Sequence, residues 1–392
     1  MNANVATSCL RTLPFRGLFL LVPVLMSCGN MPSANNSMAP ASTTASPTSS
    51  TTSGPTASAN FTPVGNMTTA RADHIAVLLP NDKVLIAGGD AVGFPLQPLA
   101  SAELYDPSTG VFTPTGNMTT PRSLLTAVLL ANGKVLIAGG TQDLSAEIYD
   151  PSTGTFTATG NMISGGVNSF NFVPLTLLQN GKVLGAGVNA EIYDPVTGTF
   201  SLTVAYADAN QNWQTTSLLQ DGRVLLTGWA AADGVGATEL YDPQTITFSF
   251  TGPMKGWDNV NRATLLMNGK VLFVGENELN WVPADAEIYD PGAGTFTSIG
   301  NTIAPHEFSA AVRLPKGTVL ITGGQLPGGS GSPGTDLYDP ATGKFTSAGN
   351  MTVGRHSHTA TLLPDGSVLI AGGHSTWPAS TSSAEIYKPA AP

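Results

Sequence analysis

The chain is built from copies of one stretch, typified by Lys134 to Met162, KVLIAGGTQDLSAEIYDPSTGTFTATGNM. Seven versions occur. The tyrosine that opens the Tyr-Asp-Pro element, or Tyr-Lys-Pro in the last version, falls at Tyr105, Tyr149, Tyr193, Tyr241, Tyr289, Tyr338 and Tyr387. A period in the forties marks an array of supersecondary units, none of which can bury its apolar faces alone. Each of the 392 residues therefore has to be read against its place in the repeat, and length-based domain counting yields to it.

Each unit reads as four short strands. In the second these are Leu125–Leu130 (a), Lys134–Ala138 (b), Ala146–Tyr149 (c) and Thr155–Thr159 (d). Val, Leu, Ile, Tyr, Phe and Thr fill them and turn residues bound them. Asn132-Gly133 between a and b suits a two-residue type I′ turn. The same corner reads Asp221-Gly222, Asn268-Gly269 and Asp365-Gly366 elsewhere. Between c and d, Asp150-Pro151-Ser152-Thr153-Gly154 supplies a capping carboxylate, a fixed φ and a residue for the left-handed region. Small antiparallel sheets, apolar on both faces and set around an axis, make an all-β propeller of seven blades.

These residues resemble the kelch repeat over Phe61 to Pro392. The family's diglycine after strand b stands as Gly88-Gly89, Gly139-Gly140, Gly323-Gly324 and Gly372-Gly373. Its tyrosine with an aromatic seven residues later stands six times, from Tyr105 and Phe112 to Tyr338 and Phe345, with Phe where the family usually has Trp. The resemblance implies a propeller like the central domain of galactose oxidase. The last unit lacks strand d, and FTPVGNM at Phe61–Met67 matches Phe112–Met118. The N-terminal strand is therefore expected to complete blade seven and leave no open edge there.

Ahead of the repeats, Arg11 and Arg16 precede an apolar run from Gly17 to Leu25, too short and wrongly flanked for a membrane span. It leads into Leu25-Met26-Ser27-Cys28, which resembles the bacterial lipobox. Residues 1–27 are read as a lipoprotein signal peptide and Cys28 as the lipidated residue. Residues 28–60, rich in Ser, Thr, Pro and Ala, are read as a disordered tether, and 61–392 as the propeller. Gly29 in place of Asp favours the outer membrane or cell surface. Cys9 would leave with the signal peptide, so the mature chain would hold no disulfide. It would also lack the Tyr–Cys crosslink that the resemblance to galactose oxidase would require, so copper-radical chemistry is not expected and no cofactor is assigned. With a net charge of −10 and only 11% charged residues, nucleic acid is excluded as a partner. A monomer touching the membrane only through its lipid is expected.

The a–b and c–d turns are near copies and define one face of the propeller. The d–a and b–c connections vary and define the other, where binding residues concentrate. Trp229, Trp281 and Trp377 fall in b–c loops, Trp257 falls in a d–a loop, and Trp213 begins a strand a. The position before strand a reads Arg71, Arg122, Phe170, Gln211, Asp258, His306 and Arg355, and the second diglycine residue is lost at Val188, Trp229 and Glu276. Blades six, seven, one and two thus suggest a basic arc, and blades three to five an acidic, aromatic arc. The candidate ligand residues are Trp229, Trp257, Trp281, Asp258, Glu276, Arg71, Arg122, His306, Arg355 and Trp377. Arg before strand a also suits a tie between blades.

His356, His358 and His374 invite a metal reading. A two-residue turn at Asp365-Gly366 would set His358 opposite Gly373 and turn His374 away from His356, which argues against a three-histidine site. His74 and His358 share a repeat position and should pack there. No nucleophile elbow, phosphate loop or zinc motif occurs. The expected activity is extracytoplasmic binding of a glycan or peptide on the d–a/b–c face. The alternatives are a sugar mutarotase, epimerase or lyase working in the central pocket, with Glu276, Glu278, Asp258 and His306 available as acid–base groups, or a purely structural surface protein.

Overall fold

A computed structural model describes residues 60–91, 97–166, 172–208, 211–230, 236–255, 262–275 and 285–389. The chain divides into Met1–Thr52 and Ser53–Pro392, and every described residue lies in the second unit. The expected signal peptide and Cys28 lie outside the described residues, as do the tether up to residue 59, Phe170, Trp257, Asp258, Glu276, Glu278 and Trp281.

Seven four-stranded antiparallel sheets form the seven blades. In blade two the strands are Leu125–Leu129, Val135–Gly139, Ala146–Asp150 and Thr155–Ala158, within a residue of expectation. The a strands touch their neighbours in a closed circuit, so they are innermost. The circuit runs from Ile75–Leu78 through Leu125–Leu129, Leu175–Leu177, Gln211–Leu218, Arg262–Leu265, Ala310–Arg313 and Thr359–Leu362 back to its start. Blade seven closes as expected. Phe61–Pro63 pairs with Ala384–Tyr387, and the Phe61 ring lies 5.0 Å from Tyr387, matching the 4.7 Å between Tyr149 and Phe156.

Alternation along strand b explains how one strand serves two cores. Val84 and Ile86 pack toward Leu369 and Ala371 of blade seven, while Leu85 and Ala87 pack toward Val135 and Ile137 of blade two. All four are fully buried. Val84, Leu85 and Ile86 each contribute roughly 1.5–3 kcal/mol on leaving water. Seven such clusters occur, one in each gap between blades.

On the repetitive face, Asp106, Asp150, Asp194, Asp242, Asp290 and Asp339 each accept the amide two residues on. Lys83, Lys134, Lys182 and Lys270 reach back to four of them. The a–b corners differ from expectation. Leu363 donates to Ser367 and Gly366 to Leu363, so Pro364-Asp365-Gly366 is a three-residue loop in which Gly366 alone takes a positive φ, 83°. A two-residue type I′ turn would need positive φ at both residues; a type I turn with a left-handed third residue needs it at one.

Blade four departs most from its neighbours. Where the diglycine is missing, strand b runs on as Val224–Ala230, pairing Trp229 with Asn212 and Gly236. Trp229 therefore lies in a strand and not in a loop. Trp213 is buried against Tyr206, ring centroids 5.3 Å apart, and fills the gap between blades three and four.

Candidate binding site at the channel mouth

The site begins with an acid that every repeat carries two residues before its tyrosine. Glu103, Glu147, Glu191, Glu239, Glu287, Asp336 and Glu385 are all buried and accept amides from the d–a connection entering their blade. Thr68 donates to Glu103, Thr119 to Glu147, Ile163 to Glu191 and Ala207 to Glu239. Lys255 donates to Glu287, Ile303 to Asp336 and Thr352 to Glu385. In blades one, two and seven a guanidinium sits on this carboxylate. Arg71 lies 3.0 Å from Glu103, Arg122 3.2 Å from Glu147 and Arg355 3.1 Å from Glu385. Arg71 also donates to the carbonyls of Gly88 and Ser101. In blade six His306 does the same work, 3.1 Å from Asp336 and 2.7 Å from the Gly323 carbonyl. Its two ring nitrogens thus occupy the two places that the guanidinium nitrogens take in the other blades.

These four side chains are at most 1% exposed. Burial pushes the three arginines below the usual guanidinium value, and their carboxylates pull them back. The basic arc expected on the face is therefore internal: Arg71, Arg122, His306 and Arg355 tie connections to strands and present no charge to a ligand.

Two residues beyond each of these side chains the backbone enters the left-handed region: Asp73 (φ 52°), Leu124 (55°), Phe308 (49°) and Ser357 (53°). Such conformations cost about 1–3 kcal/mol each and cluster at functional sites. Here they link blades. The Leu124 amide donates to Asp73, Asp73 to Ser357, and Ser357 to Phe308, at 3.1, 3.0 and 2.8 Å. Because these residues immediately precede the innermost strands, the belt rings the channel mouth on the d–a/b–c side of blades six, seven, one and two. The diglycine makes room behind it. A Cβ on Gly89 would meet the Ala72 carbonyl oxygen at 2.3 Å, and Gly88 and Gly89 both have positive φ.

A cluster of titratable groups sits inside the belt. His356 pairs with His374, exchanging backbone hydrogen bonds of 3.1 and 2.8 Å, and the rings lie 5.1 Å apart. This corrects the expectation that His374 faces away: the three-residue corner shifts the pairing by one, and a one-residue shift reverses the face. His374 Nε2 is 3.7 Å from Asp73 Oδ2, and its Nδ1 is 3.4 Å from Ser380 Oγ. Ser380 donates to the Asp90 carbonyl, and Ser123 donates to the Asp90 carboxylate. Asp90 Oδ1 is buried without a hydrogen-bond partner, and the buried His356 ring meets the Gly329 backbone. Burial, with His374 nearby, lowers His356 to about 4, while burial raises Asp90. His74 and His358 do pack at one repeat position, bridging to Thr359 and Thr322 of the preceding blades at 3.0 and 2.8 Å.

Two exposed aromatics flank the cluster. Trp377, 45% exposed, meets His374 edge-on at 4.7 Å. It belongs to an added hairpin, His374–Thr376 with Ala379–Ser380, which blade six holds through Trp377 to Gly329 and Gly331 to Ser375 hydrogen bonds. Phe308, 38% exposed, lies 6.3 Å from His356. Sequence reasoning found Trp377 but missed Asp73, Asp90 and Phe308. The seven-fold acid was visible in the repeat and also went unread. A cavity of about 490 Å³ opens elsewhere, at the seam between blades six and seven by Leu314, Leu337, Ala348 and Tyr387; it holds none of these groups.

Fold and mouth together define a seven-bladed β-propeller. No protein-family model matches the chain, and no curated protein matches it by sequence. Among solved structures it is similar to a fungal alcohol oxidase of the AA5 family in complex with copper, with a TM-score of 0.66 and 19% identity over 84% of this chain and 76% of that one. This likeness shows the propeller fold alone. Among the described residues no three His, Cys, Asp or Glu side chains group as metal ligands.

Proposed function

We propose that this chain is a kelch-type binding module of the bacterial cell envelope, anchored by lipid on Cys28, that takes a glycan or peptide on its d–a/b–c face. The observation that carries this reading is the channel mouth. Exposed Trp377 and Phe308 stand beside a carboxylate and the buried, unpaired Asp90 Oδ1, while the opposite face is occupied by self-paired turns. Flat aromatic area beside hydrogen-bonding groups suits a sugar ring or an anchoring side chain. Trp229, Trp257, Trp281, Asp258 and Glu276 would extend the surface across blades three to five. Arrays of glycans and peptides probed with the full chain and with Trp377→Ala test this. Truncating an aromatic anchor costs about 2 kcal/mol or more, a loss of roughly thirtyfold in affinity, at a near-normal melting temperature. Unchanged binding would remove Trp377 from the site. Loss of acyl labelling and of membrane retention in Cys28→Ala tests the anchor, and retained labelling would refute it.

A second reading, a sugar mutarotase or epimerase, is favoured by one observation. A carboxyl raised by burial, Asp90, and a histidine lowered by burial, His356, both interact with His374 between them in the cluster. Such a pair can hold and pass protons. Anomer exchange followed by NMR in the presence of the protein would reveal it, and exchange at the buffer rate would dismiss it.

A further inference from the structure

The mouth carries a charge pattern that narrows the ligand further. Asp73 keeps 18% of its side chain exposed, and His374 Nε2 lies 3.7 Å from its Oδ2. The nearest described guanidinium groups are spent: Arg71 and Arg355 are fully buried on Glu103 and Glu385. The corner lysines are committed on the opposite face, Lys83 to Asp106, Lys134 to Asp150, Lys182 to Asp194 and Lys270 to Asp290. The mouth is therefore a carboxylate beside aromatic walls, the combination that attracts an organic cation. Next to it lies the buried Asp90, whose Oδ1 has no hydrogen-bond partner.

Resting on the proposed binding face, we infer that the mouth takes a sugar bearing a free ammonium group, with Asp73 as counter-ion and Trp377 as stacking wall.

The test compares two probes with one backbone, a β-1,4-glucosamine oligomer and its fully N-acetylated form, titrated against the full chain at low and moderate salt. The expected result is at least tenfold tighter binding of the free amine, weakening with salt. Asp73→Asn should erase that difference. Asparagine tolerates the left-handed backbone at this position, so its melting temperature should stay near that of the parent. Equal binding of both oligomers by the parent chain would overturn the ammonium inference while leaving the glycan face standing, and needs no variant. Tighter binding of a lysine-rich peptide would overturn the sugar in favour of a peptide amine. No binding of any probe would overturn the inference, and the face itself falls only if the arrays are also negative.

Discussion

Acidification should weaken this propeller in the range between pH 7 and 5, before its carboxylates begin to titrate. The perturbed groups are His74, 6% exposed, and His356, 2% exposed. Burial lowers His74 to about 3, with Arg71 and Arg355 adding repulsion, and lowers His356 to about 4. Both are neutral in the folded protein, whereas the unfolded chain takes up protons near pH 6.5. Their stabilising contribution is thus fully present above pH 6.5 and is lost as pH falls toward 4. At pH 5 the unfolded state has gained about 1.5 pH units on each group, or about 2 kcal/mol each and about 4 kcal/mol together. That is a large share of an ordinary 5–15 kcal/mol stability. Asp90, raised by burial, works in the opposite sense and trims the effect. Asp106, Asp150 and Asp194, which their Ser, Lys and backbone partners hold below the usual carboxylate range, lose their contribution only below about pH 4. Urea unfolding at half-unit pH steps measures the slope, and the ring-carbon shifts of the histidines report their titration directly. A double His74→Gln, His356→Gln variant should flatten the curve between pH 6.5 and 5. Stability that stays level over that window in the parent, or an unchanged slope in the double variant, would refute the reasoning.

The buried ion pairs predict an asymmetry: Arg122→Leu should cost about 3–5 kcal/mol by stranding Glu147, and adding Glu147→Leu should recover only part, because the Thr119 and Thr120 amides then lose their acceptor. A urea midpoint unchanged in the single variant would show that the pair carries no such burden. Ring closure predicts that Phe61→Ala, which empties a 5%-exposed site against Tyr387, costs about 3–5 kcal/mol; a melting curve matching the parent would mean that the N-terminal strand does not seal blade seven. Ile246 takes φ 56° where the other c–d turns place glycine. A left-handed non-glycine residue costs roughly 1–2 kcal/mol, so Ile246→Gly should raise stability by up to about 1 kcal/mol after glycine's own entropy cost, and a lowered melting temperature would contradict this.

What the sequence made legible, and what it hid, separate along one physical line. Composition and period are sufficient for seven blades because every strand b must feed two cores, and only residues apolar on both faces, such as Val84 to Ala87, can do so. Closure was equally legible, since Phe61 to Met67 is a strand d displaced to the front of the chain. Register was not. Asp365-Gly366 is compatible with a two-residue turn or with the last two residues of a three-residue one, and the difference of one moves His374 from the far side of the strand to 5.1 Å from His356. The role of a charge was hidden for a related reason. Arg71 or Arg355 before strand a reads as surface until the acid two residues before each tyrosine is recognised as its partner, and that acid attracts little notice because it recurs in blades that carry no such arginine. The acid's first duty is to the backbone amides of the entering connection. The arginine or histidine is an addition in blades one, two, six and seven, and the belt of left-handed residues occurs in those same four blades: Asp73, Leu124, Phe308 and Ser357 each lie two residues past it. The buried ion pair and the strained mouth are therefore two ends of one connection, anchored in the core so that its tip can be held in a costly conformation beside the channel.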